Sequence, residues 1–141
     1  MAKYDASRTN KSRKITKLYR DLDLNFGRNT VTGDVNVLED ADAVKTSVKN
    51  IIQTNHYERP FHPELGSDIR NLLFENVTPL TAMSIKTKVL ECLSIYEPRA
   101  RIENVIIEPD PSTNAYGVEI YFYVKGIPTL QKIESFLERL R

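Results

Sequence analysis

The 141 residues include no tryptophan, one cysteine, two histidines and five glycines. Each shortage removes a class of function. A single cysteine, Cys92, excludes an internal disulfide and a cysteine-rich zinc site. Its expected place is the buried face of a helix, as a small hydrophobe, in a chain made in a reducing intracellular setting. The scattered glycines leave no glycine-rich phosphate loop. There is no nucleophile elbow and no Ser/His/Asp set. No apolar run approaches the ~20 residues of a membrane span, and the basic N-terminus lacks the apolar segment of a signal peptide. His56 and His62 stand six apart in a proline-rich loop without a third ligand at fixed spacing, so no metal is expected. Glu58, Glu64, Glu75 and Glu97 could pair on paper as hydrolytic carboxylates. With nineteen acids in the chain such pairs are common, and without tryptophan there is no sugar-binding aromatic groove. Catalytic residues, cofactors and a small-molecule substrate are therefore not expected; a lysozyme-type cell-wall hydrolase stays as the alternative.

What is present fits one globular domain with a core, with hydrophobic residues at 40% and charged residues at 28%. The net charge of +1 conceals an asymmetry: residues 1–20 carry seven Lys/Arg and one acid, or +6, which leaves −5 on the remainder. A basic arm on an acidic body reads as an interaction tail. Residues 1–14 are expected to be a flexible arm that orders on an acidic protein partner. Nucleic acid is the less favoured partner, because only Tyr4 and Tyr19 interleave the charges.

Along residues 15–141, taken as a single α+β domain, the hydrophobic period changes repeatedly. Leu18, Leu22, Leu24 and Phe26 alternate with polar residues and predict a half-buried strand over Leu18–Phe26. Val35 and Val37 suggest a short second one. Asp40 or Asp42 can cap a helix carrying Val44, Val48, Ile51 and Ile52 to about Thr54. Residues 57–66, with two prolines, a glycine and two aromatics, make a structured loop. Ser67 or Asp68 then caps a short helix with Ile69, Leu72, Leu73 and Phe74. Thr78-Pro79 starts a long helix whose buried stripe is Ala82, Ile85, Val89, Cys92, Leu93 and Tyr96. Strands follow over Arg101–Glu108 and Tyr116–Lys125 as an antiparallel hairpin, ended by Gly126 and Pro128. Leu130, Ile133, Leu137 and Leu140 then predict a C-terminal amphipathic helix. The expected architecture is a small, mostly antiparallel sheet of Leu18–Phe26 and the hairpin strands, packed on two or three helices. Three strands cannot close a barrel, so at least one edge is expected to be free or covered. Tyr121 and Tyr123, opposite the alternating apolar set, suit the core, a partner or the C-terminal helix.

The long helix ends at Tyr96-Glu97-Pro98-Arg99. Proline lacks an N–H and pushes Glu97 into an extended conformation. A carboxylate at the negative end of a helix dipole calls for a cation, and Arg99 is the nearest. By itself this is an ordinary helix stop with a surface ion pair.

Four blocks in order change that reading: residues 15–23 (Ile-Thr-Lys-Leu-Tyr-Arg-Asp-Leu-Asp), 59–66 (Arg-Pro-Phe-His-Pro-Glu-Leu-Gly), 73–82 (Leu-Phe-Glu-Asn-Val-Thr-Pro-Leu-Thr-Ala) and 96–99. In this order and spacing the chain resembles the gene-25-like baseplate wedge proteins of T-even-type contractile phages, which are similar to the TssE component of type VI secretion. His62 stands where that pattern calls for an acidic or amide residue. The resemblance implies a structural protein of the virion tail baseplate, assembled in the host cytoplasm. It implies other wedge proteins and the tail sheath as partners, with the tail tube or hub a further candidate and no membrane involved. It also implies that the chain links the wedge core to the sheath and templates the first sheath ring by strand addition. Glu97, Pro98 and Arg99, with Arg59, Pro60 and Phe61, become the partner-binding residues. Such families have also carried a lysozyme label, which no residue here supports.

Overall fold

The computed structural model describes residues 18–138, so the arm expected over residues 1–14 lies outside the described residues. Eight elements follow in order: β1 (Arg20–Leu22), β2 (Val37–Glu39), α1 (Asp40–Gln53), α2 (Ile69–Leu72), α3 (Pro79–Tyr96), β3 (Ala100–Asp110), β4 (Ala115–Val124) and β5 (Ile127–Glu138). The α+β class holds. The helices begin and end near the expected places. Thr78 caps α3 by accepting from the Thr81 N–H at 3.2 Å, with Pro79 in the first turn. The cap of α1 differs: Glu39 is the N-cap and makes no side-chain cap bond. The Asp40 carboxylate instead accepts the backbone N–H groups of Leu18 and Tyr19, at 2.8 and 3.3 Å. It ties the incoming chain to the helix rather than closing the helix on itself.

The sheet is where expectation and structure part. The main sheet is antiparallel with order β3-β4-β5. Its third strand is β5, the segment expected to be a C-terminal helix. Residues 127–138 carry two periods at once. Leu130, Ile133 and Leu137 have helical spacing, but Ile133 and Leu137 also alternate. In the sheet Ile133 faces across from Ile120, and Leu137 from Tyr116. Pairing with β4 satisfies a backbone edge that a helix would leave open, and this outweighs the helical pattern. Gly126 and Pro128 accordingly do not end the sheet: Gly126 makes the turn and Pro128 lies in β5. Gly126 has φ of +86°, and a Cβ there would stand 2.7 Å from the Leu18 side chain.

The strand expected over Leu18–Phe26 shrinks to the three residues of β1, which pair only with β2 in a separate ribbon. It is not half-buried. Leu18, Leu22, Leu24 and Phe26 are all more than half exposed. The core lies instead between α1, α3 and one face of the main sheet. It holds Val44, Val48, Ile85, Val89 and Leu93 from the helices and Val105, Val118, Ile120 and Phe122 from the strands. Cys92 is buried there as expected, donating to the Gly66 carbonyl at 3.1 Å. Burial pushes its thiol pKa up to about 11. The opposite face of the sheet carries Tyr121 and Tyr123, which are neither in the core nor under a helix. Lys132 lies over the Tyr121 ring and Arg101 over the Tyr123 ring.

Candidate functional site

Pro98 stops α3, and the chain turns at once into β3. The Glu97 N–H still bonds to the Leu93 carbonyl, and the Ala100 N–H bonds to the Glu97 carbonyl, both at 3.0 Å. This tight corner points the Glu97 side chain inward, where it is 1% exposed. Arg99 grips it from the rim. Its Nε and Nη2 donate to the two carboxylate oxygens at 2.6 Å each. The ion pair is therefore not on the surface, and the bidentate geometry makes it a strong one. Burial alone would push the Glu97 pKa up; the hydrogen bonds from Arg99 and from Ser47 of α1 outweigh it and hold the carboxyl below its ordinary value. Glu97 in turn stabilises the charged form of Arg99, and Asp21 adds to this.

The corner reaches further. The Arg99 guanidinium stands 5.6 Å from the Tyr19 ring centroid. The Tyr19 hydroxyl donates to the Lys125 carbonyl at 3.0 Å, and the Lys125 N–H donates to the Arg99 carbonyl at 2.9 Å. Glu97 and Arg99 thus join α1, α3, β3, the start of β1 and the turn after β4. Ser47, Tyr19 and Asp21 are parts of the site that carried no role in the sequence. Tyr19 and Asp21 at least lie within a recognisable block. Ser47 has no such signal, because only folding brings it to a residue fifty positions away.

Arg59, Pro60 and Phe61 occupy the loop before α2, apart from the ion pair. The loop is anchored from within. The Glu58 carboxylate accepts from the Asn55 N–H at 2.8 Å and from Arg70 at 3.2 Å. Ser67 donates to the Ile52 carbonyl at 2.8 Å, and Tyr96 donates its hydroxyl to the Glu64 carbonyl. Gly66 is obligatory: its φ is +145°, and a Cβ would stand 2.6 Å from the Asn55 backbone. On this clamped base Tyr57 and Phe61 both take left-handed φ values, 66° and 69°. Both project into solvent, Phe61 at 97% exposure. The two outward aromatics are therefore not part of the core.

A groove of about 540 Å³ lies between β1, α1 and the loop; Glu97 and Arg99 do not line it themselves. Leu22, Leu24, Ile51 and Leu65 give it apolar surface, Arg59 stands on the loop side, and Asp21 and Ser47 belong to the ion-pair side. Among the described residues no three His, Cys, Asp or Glu side chains converge on a metal position. His56 pairs with Asp68 at 3.8 Å and His62 with Glu64 at 3.3 Å, as separate surface contacts. No described helix is long and apolar enough to cross a membrane.

Comparison with known proteins gives a consistent result. The family model described as Baseplate wedge protein gp25 matches residues 38–129, a range holding all six expected contact residues. The chain is similar to Baseplate wedge protein gp25 of Enterobacteria phage T4, with 37% identity over 116 residues, 81% of this chain and 86% of that protein. In fold it resembles a provisionally assigned tail lysozyme from Geobacter sulfurreducens, at TM-score 0.68 and 23% identity, covering 76% of this chain and 98% of the other. It also resembles a chain of the anti-feeding prophage baseplate, at TM-score 0.60 and 21% identity, covering 87% of each.

Proposed function

This chain belongs to the family of baseplate wedge protein gp25, and from that premise we propose that it links the wedge core to the tail sheath and templates the first sheath ring by strand addition. It is a component of the tail baseplate of the virion. The observation that carries the finer reading is the three-stranded sheet, neither outer edge of which pairs with another strand among the described residues. β3 and β5, of 11 and 12 residues, each pair with β4 on one side only. An unpaired edge of that length invites aggregation unless a partner covers it. An incoming strand would take its affinity from backbone bonds and its register from side-chain alternation. Pro109 and Pro128 lie on these outer strands and none lies in β4, as expected where only edges tolerate a missing N–H. Wedge docking falls to the loop at residues 59–61 and to the surface braced by the corner at residues 97–99.

Successive residues of a strand direct their N–H groups to opposite sides. Of Glu134→Pro and Ser135→Pro in β5, one therefore breaks the ladder to β4 and the other points away from it; Ile107→Pro and Glu108→Pro make the same pair in β3. The outward variant on the edge that receives the sheath strand should keep the melting temperature and wedge incorporation of the wild type, while sheath polymerisation fails to start. Normal sheath initiation on the outward variants of both edges would show that another surface seeds the sheath.

A further inference from the structure

The Glu97–Arg99 pair has little left to offer a partner directly, since both carboxylate oxygens are occupied and buried. What it does hold is the groove beside it. Ser47 bonds to Glu97 from one wall, and Asp21 faces Arg99 from the other. The walls are thus set before anything binds.

Within this frame we infer that the groove between β1, α1 and the loop of Arg59 receives a segment of another wedge protein, one that carries an acidic side chain flanked by apolar ones. The inference rests on the wedge reading above and names the partner chemistry of its docking site. Charge selects the acidic residue. Arg20 pairs with Glu39, Arg70 with Glu58 and Arg99 with Glu97. Arg59 has no hydrogen-bond or ion-pair partner for its side chain among the described residues, yet it lines the groove. A guanidinium at the mouth of a partly apolar cleft is suited to bidentate capture of a carboxylate. The apolar flanks follow from Leu22 and Leu24, each 56% exposed and next to Ile51 and Leu65. The volume of about 540 Å³ admits several side chains and falls within the range of ligand-binding clefts.

The test is photo-crosslinking during reconstitution of the wedge from the purified wedge proteins of the same tail. A photoreactive residue replaces Leu24 in the groove, and a control replaces Ile106 on the outer sheet face. The expected result is a cross-link from position 24 alone, to one segment of one other wedge protein containing Asp or Glu. Arg59→Glu should weaken incorporation by about tenfold, the scale of one lost charge-assisted hydrogen bond, without moving the melting temperature. A compensating acid-to-lysine change in the cross-linked segment should restore it. If the wild type enters the wedge and Arg59→Glu and Leu24→Asp enter equally well, the groove is not the docking site. A cross-link to a second copy of this chain overturns the stated occupant. If the wild type itself does not enter the wedge, the wedge-docking reading falls first and takes the groove's occupant with it.

Discussion

Glu97 is a charged residue almost wholly removed from water, and it is held there by two hydrogen bonds from one arginine. Removing one member of such a pair strands the other. Arg99 keeps a third of its side chain exposed, which softens the loss. Glu97→Gln is therefore expected to cost ~2–4 kcal/mol of stability at neutral pH. The folded pKa of Glu97 lies below its ordinary 4.5, so the unfolded chain binds the proton more tightly. The contribution is present in full above that ordinary value and is lost as pH falls through the folded one. The gap between Glu97→Gln and wild type should then narrow toward acid, which denaturant unfolding at neutral and acidic pH will check. Tyr116 presents the reverse case. Its ring is fully buried and its hydroxyl has no hydrogen-bond partner among the described residues. Tyr116→Phe removes an unmet desolvation cost, and a gain of about 1 kcal/mol is expected; a loss in the same unfolding experiment would mean that the hydroxyl does have a bound partner. Neither environment could be read from residue type, since burial depends on what the rest of the chain brings over the residue.

At the scale of elements, β5 is the one that changed type. Leu130 and Ile133 are three apart and would share the buried stripe of a helix. In the strand Ile133 is buried and Leu130 is 45% exposed. Ile133→Ala should therefore cost ~2–4 kcal/mol, while Leu130→Ala should cost under about 1 kcal/mol. Equal losses in thermal unfolding would favour a helix. The helix α3 was legible because its apolar period coincides with cap and stop signals at Thr78-Pro79 and Pro98, and α1 through its apolar period, since its expected cap bonds elsewhere. β1 was legible as an alternation but not as an exposed ribbon. Leu22 of β1 and Leu24 just beyond it stay more than half exposed, and alternation does not say whether the covering surface lies in the same chain.

For the whole molecule, three of the acids that could pair on paper are each held toward the charged form. A glycosidase needs one carboxyl whose pKa is raised so that it holds a proton at neutral pH. Glu58 is lowered first by the Asn55 backbone N–H, Glu64 first by its own, and Glu97 by Arg99 and Ser47 against its burial. The purified protein is expected to release no fragments from peptidoglycan in a zymogram that detects a lysozyme control. Turnover abolished by Glu58→Gln or Glu64→Gln would reverse this conclusion.

The sequence by itself determined the α+β class, the long helix and its stop, the nearness of Arg99 to Glu97, and the family. Each of these depends on residues close in the chain or on blocks in fixed order, so local propensity and motif suffice. Only the tertiary structure decided that 127–138 is a strand, because the deciding term is the second backbone edge of β4, which a periodicity count does not contain. Only it decided that the Glu97 pair is buried and that Ser47, Asp21 and Arg59 share one groove. Those residues lie on separate elements, and their meeting depends on how α1, β1 and the loop pack around a corner far from them in sequence.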